Sequence, residues 1–152
     1  MTEALYHTDS YLKEFSAKVT AVNAETRAVI LDRTAFYPGG GGQPCDLGTL
    51  ALGDVVWQVE KTRKAGPDVE HILAASESLP SVGDTLAGAL DWQRRYRLMR
   101  THTAMHILCG VIFRDFGAQV TGGDMDIKQA RMDFEFESMT RDLVEVIEAA
   151  IN

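Results

Sequence analysis

Along the first ninety positions hydrophobic and polar residues tend to alternate with a period of two, and after Asp91 the period lengthens to that of a helix. A period of two sends successive side chains to opposite faces of a strand. Phe15 to Asn23 alternates crudely, Ala28 to Asp32 is a short apolar run, and Leu47 to Leu52 is another. Val55 to Lys61 puts Val55, Trp57 and Val59 on one face, and Val69 to Leu73 and Leu86 to Leu90 complete the set. Turn residues separate these segments at Asn23-Ala24-Glu25-Thr26, Gly53-Asp54 and Gly66-Pro67-Asp68. Several short strands at this spacing predict a small barrel or sandwich. From Trp92 to about Phe116 the apolar positions Tyr96, Met99, Ala104, Ile107, Leu108, Val111 and Ile112 predict a helix, with Asp91 as its N-cap and Gly117 as its stop. Ala118 to Thr121 reads as extended, and Gly122-Gly123-Asp124 as a turn. Lys128 to Glu137 alternates, with Ala130, Met132, Phe134 and Phe136 facing one way. Ser138 or Thr140 then caps a last helix through Leu143, Ile147 and Ile151. The chain is therefore expected to be α+β: a small β-barrel over 1–91, then a unit over 92–152 in which a helix packs on antiparallel strands.

Composition narrows the class of protein. A chain of 152 residues holds one domain or two small ones and buries roughly 68–70% of its unfolded surface. The two cysteines, Cys45 and Cys109, make no disulfide framework, which points to a reducing, cytoplasmic setting. The first residues lack a basic segment followed by an apolar run, so no signal peptide is expected. No stretch approaches the length of about 18 apolar residues that a membrane helix requires. A net charge of −7 argues against broad, non-specific nucleic-acid binding. The charge is uneven, however. Residues 1–92 carry 7 Lys+Arg against 13 Asp+Glu (−6), and residues 93–152 carry 8 against 9 (−1). Half of those eight cations sit together as Arg94, Arg95, Arg97 and Arg100.

Three groups of residues carry candidate chemistry. His102 and His106 are four apart on the predicted helix, one turn apart on one face, where two imidazoles can grip one zinc ion at about 2.0–2.1 Å. The plain alternative is two unrelated histidines on a helix stripe. The zinc-protease pattern is excluded, because Thr103 stands where that motif has its glutamate. Gly39, Gly40, Gly41 and Gly42 form a run that is neither a P-loop nor a dinucleotide fingerprint. It reads either as a flexible turn or as unshielded N–H groups able to approach a ligand closely, with Gln43 adding a donor and an acceptor. The arginine cluster reads either as a solvated helix face or as a phosphate grip that positions a nucleic acid without reading it.

The segment Thr34-Ala-Phe-Tyr-Pro-Gly-Gly-Gly-Gly-Gln-Pro-Cys-Asp-Leu-Gly48 resembles the glycine-rich motif of the alanyl-tRNA synthetase editing region. Arg97-Leu-Met-Arg-Thr-His-Thr-Ala-Met-His-Ile-Leu108 resembles the start of its editing core, with the first two zinc ligands. The free-standing alanyl-tRNA editing proteins share both blocks, in this order and separation. The resemblance runs over nearly the whole chain, roughly Leu5 to Asn152. It implies an N-terminal barrel like a translation-factor domain and a C-terminal α/β editing core. It implies a zinc-dependent hydrolase of seryl- or glycyl-tRNA mischarged on the alanine tRNA. Zinc would be held by His102 and His106 together with a later Cys-x-x-x-His pair, which does not occur in this sequence. The chain is accordingly expected to be a truncated member, with weak zinc binding and with self-association through its cut core. Thr34, the four glycines and the four arginines are expected to touch substrate or tRNA. Gln43 is expected to hold the terminal adenosine or the ester carbonyl, and Thr121 to face the amino acid, where a hydroxyl would favour serine over alanine. The alternative is a tRNA-binding piece without turnover of its own.

Overall fold

The structure, a computed structural model, describes residues 1–75 and 78–152. The chain forms two compact units: Met1–Gly40 with Pro44–Arg95, and Tyr96–Asn152 with the short segment Gly41–Gln43. The division falls after Arg95, and the tip of the glycine loop belongs with the second unit.

In the first unit, β1 (Glu3–Ala4) is followed by a 3-10 turn at Leu5–His7, then β2 (Glu14–Asn23), β3 (Ala28–Leu31), β4 (Arg33–Thr34), β5 (Gly48–Leu52), β6 (Val55–Ala65), β7 (Asp68–Leu73) and β8 (Thr85–Leu90). Six of these close an antiparallel barrel in the order β2-β3-β7-β6-β5-β8. Closure leaves no strand edge exposed in that sheet. The turn signals lie where the pattern puts them. The Asn23 side chain accepts from the N–H groups of Glu25 and Thr26, Gly53 turns β5 into β6, and Gly66 turns β6 into β7. Ala17, Val19, Leu31, Leu50, Trp57, Val59, Leu73 and Leu86 fill the interior. Val55 departs from expectation. It stands at the strand end, 46% exposed, while Trp57 and Val59 of the same face are buried. The two-residue strands β1 and β4 pair in parallel and are too short to leave an alternation in the sequence.

Helix α1 (Trp92–Phe116) has the predicted bounds. The Asp91 carboxylate accepts from the Arg94 N–H at 3.0 Å, which caps the start. Gly117 ends it with φ of 68°, its N–H bonded to the Phe113 carbonyl. No helix is long and apolar enough to cross a membrane among the described residues.

In the second unit β9 (Val120–Met125) pairs antiparallel with β10 (Ala130–Phe134), and α2 (Arg141–Ile151) follows, capped by the Thr140 hydroxyl. Ile112, Ala118 and Ile147 form its core, with Leu108, Phe134, Phe136 and Leu143 against them. The expected turn at Gly122-Gly123-Asp124 is instead the middle of β9. The chain reverses one step later, where the Asp126 side chain accepts from the Lys128 and Gln129 N–H groups. That turn takes Lys128 and Gln129 out of the strand expected over 128–137 and shortens it to Ala130–Phe134.

Candidate functional site

Helical spacing sets His102 and His106 on one face of α1, and their rings lie side by side with centroids 4.9 Å apart and planes 15° apart. Two imidazole nitrogens on one tetrahedral zinc are separated by about 3.3 Å, a value that follows from the Zn–N distance. The two rings stand on one face as such a pair requires. His102 Nδ1 lies 2.6 Å from Gln43 Oε1. An amide oxygen only accepts, so Nδ1 carries the proton and Nε2 keeps its lone pair for a ligand. Among the described residues no three His, Cys, Asp or Glu side chains converge as a metal shell. Cys109, one turn beyond His106, turns its thiol toward Met132 Sδ at 3.7 Å.

A cavity of about 350 Å³ opens beside the histidines, lined by Gly41, His102, Met105, His106, Thr121 and Met132 among others. Thr121, on β9, is exposed there. Gly39, Gly40, Gly41 and Gly42 all have positive φ, between 60° and 130°. At Gly42 the requirement is also steric, because a Cβ would come within 2.6 Å of the Gly123 carbonyl oxygen. The Gly42 carbonyl accepts from the Met125 N–H at 3.1 Å, so the loop tip is tied to β9. The glycines of β9 thus serve close approach rather than a turn.

Two expected site residues are elsewhere. Thr34 is fully buried in the barrel, its hydroxyl 2.8 Å from His71 Nε2 and accepting from the Phe36 N–H. It has no surface left for a substrate. Arg95 is also buried, and its guanidinium grips Asp46 through both carboxylate oxygens and donates to the carbonyls of Ala35 and Ser10. All three of its nitrogens donate to protein and the side chain is buried, so it offers no face to a phosphate. Arg94 is half-buried and reaches the Cys45 carbonyl, whereas Arg97 and Arg100 are exposed.

A family model described as tRNA synthetases class II (A) matches residues 4–94. The chain belongs to that family. It is 44% identical over 149 residues to alanyl-tRNA editing protein AlaX-M of Methanosarcina mazei, covering 93% of this chain and 59% of that protein. It is 44% identical over 152 residues to AlaX-M of Saccharolobus solfataricus, covering 99% and 63%. Against the alanine–tRNA ligase of Ignicoccus hospitalis the identity is 41% over 154 residues, covering 99% of the chain and 16% of the ligase. The chain spans about three-fifths of the length of the AlaX-M relatives. In this member of the class II (A) synthetase family the glycine loop and Gln43 lie within the family match, and His102 and His106 lie beyond it, in the stretch shared with the relatives.

Sequence reasoning missed Asp46, His71, Met105 and Met132. His71 alternates with Val69 and Leu73 on β7, so its inward direction was readable from the period of two. Arg95 and Leu98 share a helix stripe, and the burial of Leu98 is the signal that Arg95 faces inward too.

Proposed function

We propose that this chain serves the editing of mischarged alanine tRNA in the cytoplasm, by hydrolysing the ester of seryl- or glycyl-tRNA. One observation carries the reading: Gln43, from the glycine motif, is hydrogen-bonded to His102 of the histidine pair, so the two sequence blocks meet in one compact unit. The likeness to alanyl-tRNA editing proteins supports editing as the general activity.

His102 and His106 are the residues that would hold zinc, which when bound polarises a carbonyl or lowers the pKa of a water. The chain's own residues do the rest. Gln43 fixes the tautomer of His102 and leaves its Nε2 able to accept. The N–H groups at the loop tip, held to β9 through Gly42, would donate to an ester oxygen or to the terminal adenosine. The Thr121 hydroxyl hydrogen-bonds the serine hydroxyl, a contact that alanine lacks; sites built this way discriminate by up to roughly 10⁴–10⁵. Water adds to the carbonyl, and the ribose hydroxyl leaves with a proton.

A second reading, tRNA binding without turnover, is favoured by one fact: His102 and His106 find no third donor among the described residues. The test is release of serine and glycine from the charged alanine tRNA, with alanyl-tRNA as control and zinc content measured beside it. Hydrolysis of the seryl ester that falls about 10–100-fold in Gln43→Leu, the usual effect of losing a group that orients a metal-binding histidine, supports the editing reading. Tight tRNA binding with no release at any zinc concentration supports the second.

A further inference from the structure

The Thr121 hydroxyl lines the cavity beside the histidines, and a hydroxyl there bonds serine and threonine alike. Threonine carries the same hydroxyl on a carbon with one more methyl, so telling the two apart requires a wall. At Thr121 the ladder slips by one residue, because Asp133 pairs with Gly122 and Phe134 with Val120. A bulge of this kind re-aims a side chain beside a site. Two residues on, Gly123 also lines the cavity and pairs with Met132 of β10. Gly123 stands in the strand without a positive φ, so its backbone conformation does not call for glycine. The space over it does. A Cβ there would lie 3.4 Å from Met105 Cε and 4.0 Å from Met132 Cγ. Carbons touch at about 3.5–4.0 Å, so the room over Gly123 is about one carbon deep and the two thioether chains close it. Methionine is an adaptable side chain, and such a wall needs backing. Met132 has it, since Cys109 Sγ lies 3.7 Å from its Sδ.

We propose that Gly123, Met105 and Met132 set the size of the amino acid this cavity takes. Glycine enters freely. Serine enters with its methylene in the room over Gly123 and its hydroxyl on Thr121. Threonine brings the same hydroxyl, but its methyl meets the thioether wall and it is turned away. Selection is thus divided between two chemistries, a hydroxyl that rewards serine and a one-carbon limit that rejects anything branched beyond it. The assignment rests on the editing function proposed above for its class of substrate, the aminoacyl ester of a tRNA.

Two measurements on the whole chain and its variants test it. One is hydrolysis of the alanine tRNA charged with glycine, serine or threonine. The other is binding of the matching amide analogues of aminoacyl-adenosine, which resist hydrolysis. The parent should leave threonine about tenfold or more behind serine. Met105→Ala and Met132→Ala should each raise threonine relative to serine by about tenfold or more, the usual worth of a methylene of room. Met132→Leu, of similar volume, should keep the parent's ranking. Gly123→Ala fills the room itself and should lower serine about tenfold or more relative to glycine, which sends no side chain there. Each comparison is a ratio within one variant, so a general loss of folded protein cancels, and glycine reports that the variant is intact. Enlarged variants that still reject threonine overturn the proposal, as does a Gly123→Ala variant with the parent's ratio of serine to glycine. A chain that hydrolyses no ester but ranks the amides in the expected order overturns the editing reading and supports the wall. A chain that neither hydrolyses the esters nor binds the amides overturns both.

Discussion

His71 sits at the centre of the barrel with a hydrogen bond at each ring nitrogen, Nδ1 to the Val29 carbonyl at 3.1 Å and Nε2 to the Thr34 hydroxyl at 2.8 Å. The Val29 carbonyl can only accept, so the neutral ring donates through Nδ1 and its Nε2 accepts the Thr34 hydroxyl proton. A second ring proton would require the Thr34 hydroxyl to turn its own proton away from Nε2. Burial pushes the His71 pKa down to about 4, partly offset by the bond to Val29. The folded value lies below the unfolded 6.5, so the unfolded chain takes up the proton first as pH falls. Stability from the neutral ring is fully present above about pH 6.5 and is lost as pH drops toward 4, by about 3 kcal/mol. Urea unfolding of the chain between pH 7.5 and 4.5 should show this loss, and His71→Leu should remove that part of the slope while lowering stability at every pH. Thr34 shows the limit of a motif match at this scale. The resemblance put it beside a substrate, but a motif carries no depth, and only the inward direction of its strand neighbours decides that it belongs to the core.

At the scale of elements, the start of α1 is fastened to the barrel unit by the Arg95–Asp46 pair. The Asp46 carboxylate also accepts from the Tyr37 N–H at 2.7 Å, which holds the root of the glycine motif. Removing one partner strands a buried charge, at a cost of about 3–5 kcal/mol. Arg95→Met and Asp46→Asn should each lower the unfolding midpoint steeply, and the doubly apolar pair Arg95→Met with Asp46→Leu should be milder than their sum. Gly42→Ala addresses the other end of the motif. A side chain there meets the Gly123 carbonyl at a φ of 80°, so the tip must leave β9. Deacylation should fall at least tenfold in that variant with little change in the melting of the barrel. The strands and α1 were legible because alternation and a 3.6-residue stripe are local signals. The boundaries of β9 and β10 were not, because Gly122-Gly123 reads as a turn until the loop that lies against it is known. The histidine pair was legible from spacing, but its link to Gln43 crosses some sixty residues and leaves no local trace.

For the whole molecule, a net charge of −7 opposes the tRNA partner proposed above, and that proposal requires a local concentration of cations. With Arg95 committed to Asp46, the available cations are Arg94, Arg97 and Arg100. Each phosphate contact contributes about −0.7 to −0.9 to the slope of log K against log salt. Fluorescence anisotropy with the alanine tRNA should give a slope of roughly −2 to −3 from these three, and Arg97→Glu or Arg100→Glu should weaken binding and flatten the slope by about one contact. A slope unchanged in both variants would make these arginines a solvated face.

The sealed ring of His71 also makes the barrel its own clock. An imidazole N–H in water trades its hydrogen too quickly to be followed, but the one on His71 Nδ1 is covered by the closed sheet and bonded to Val29. Solvent deuterium can reach it only when the sheet parts, so its rate of replacement counts openings of the barrel as a whole rather than the fraying of any one strand.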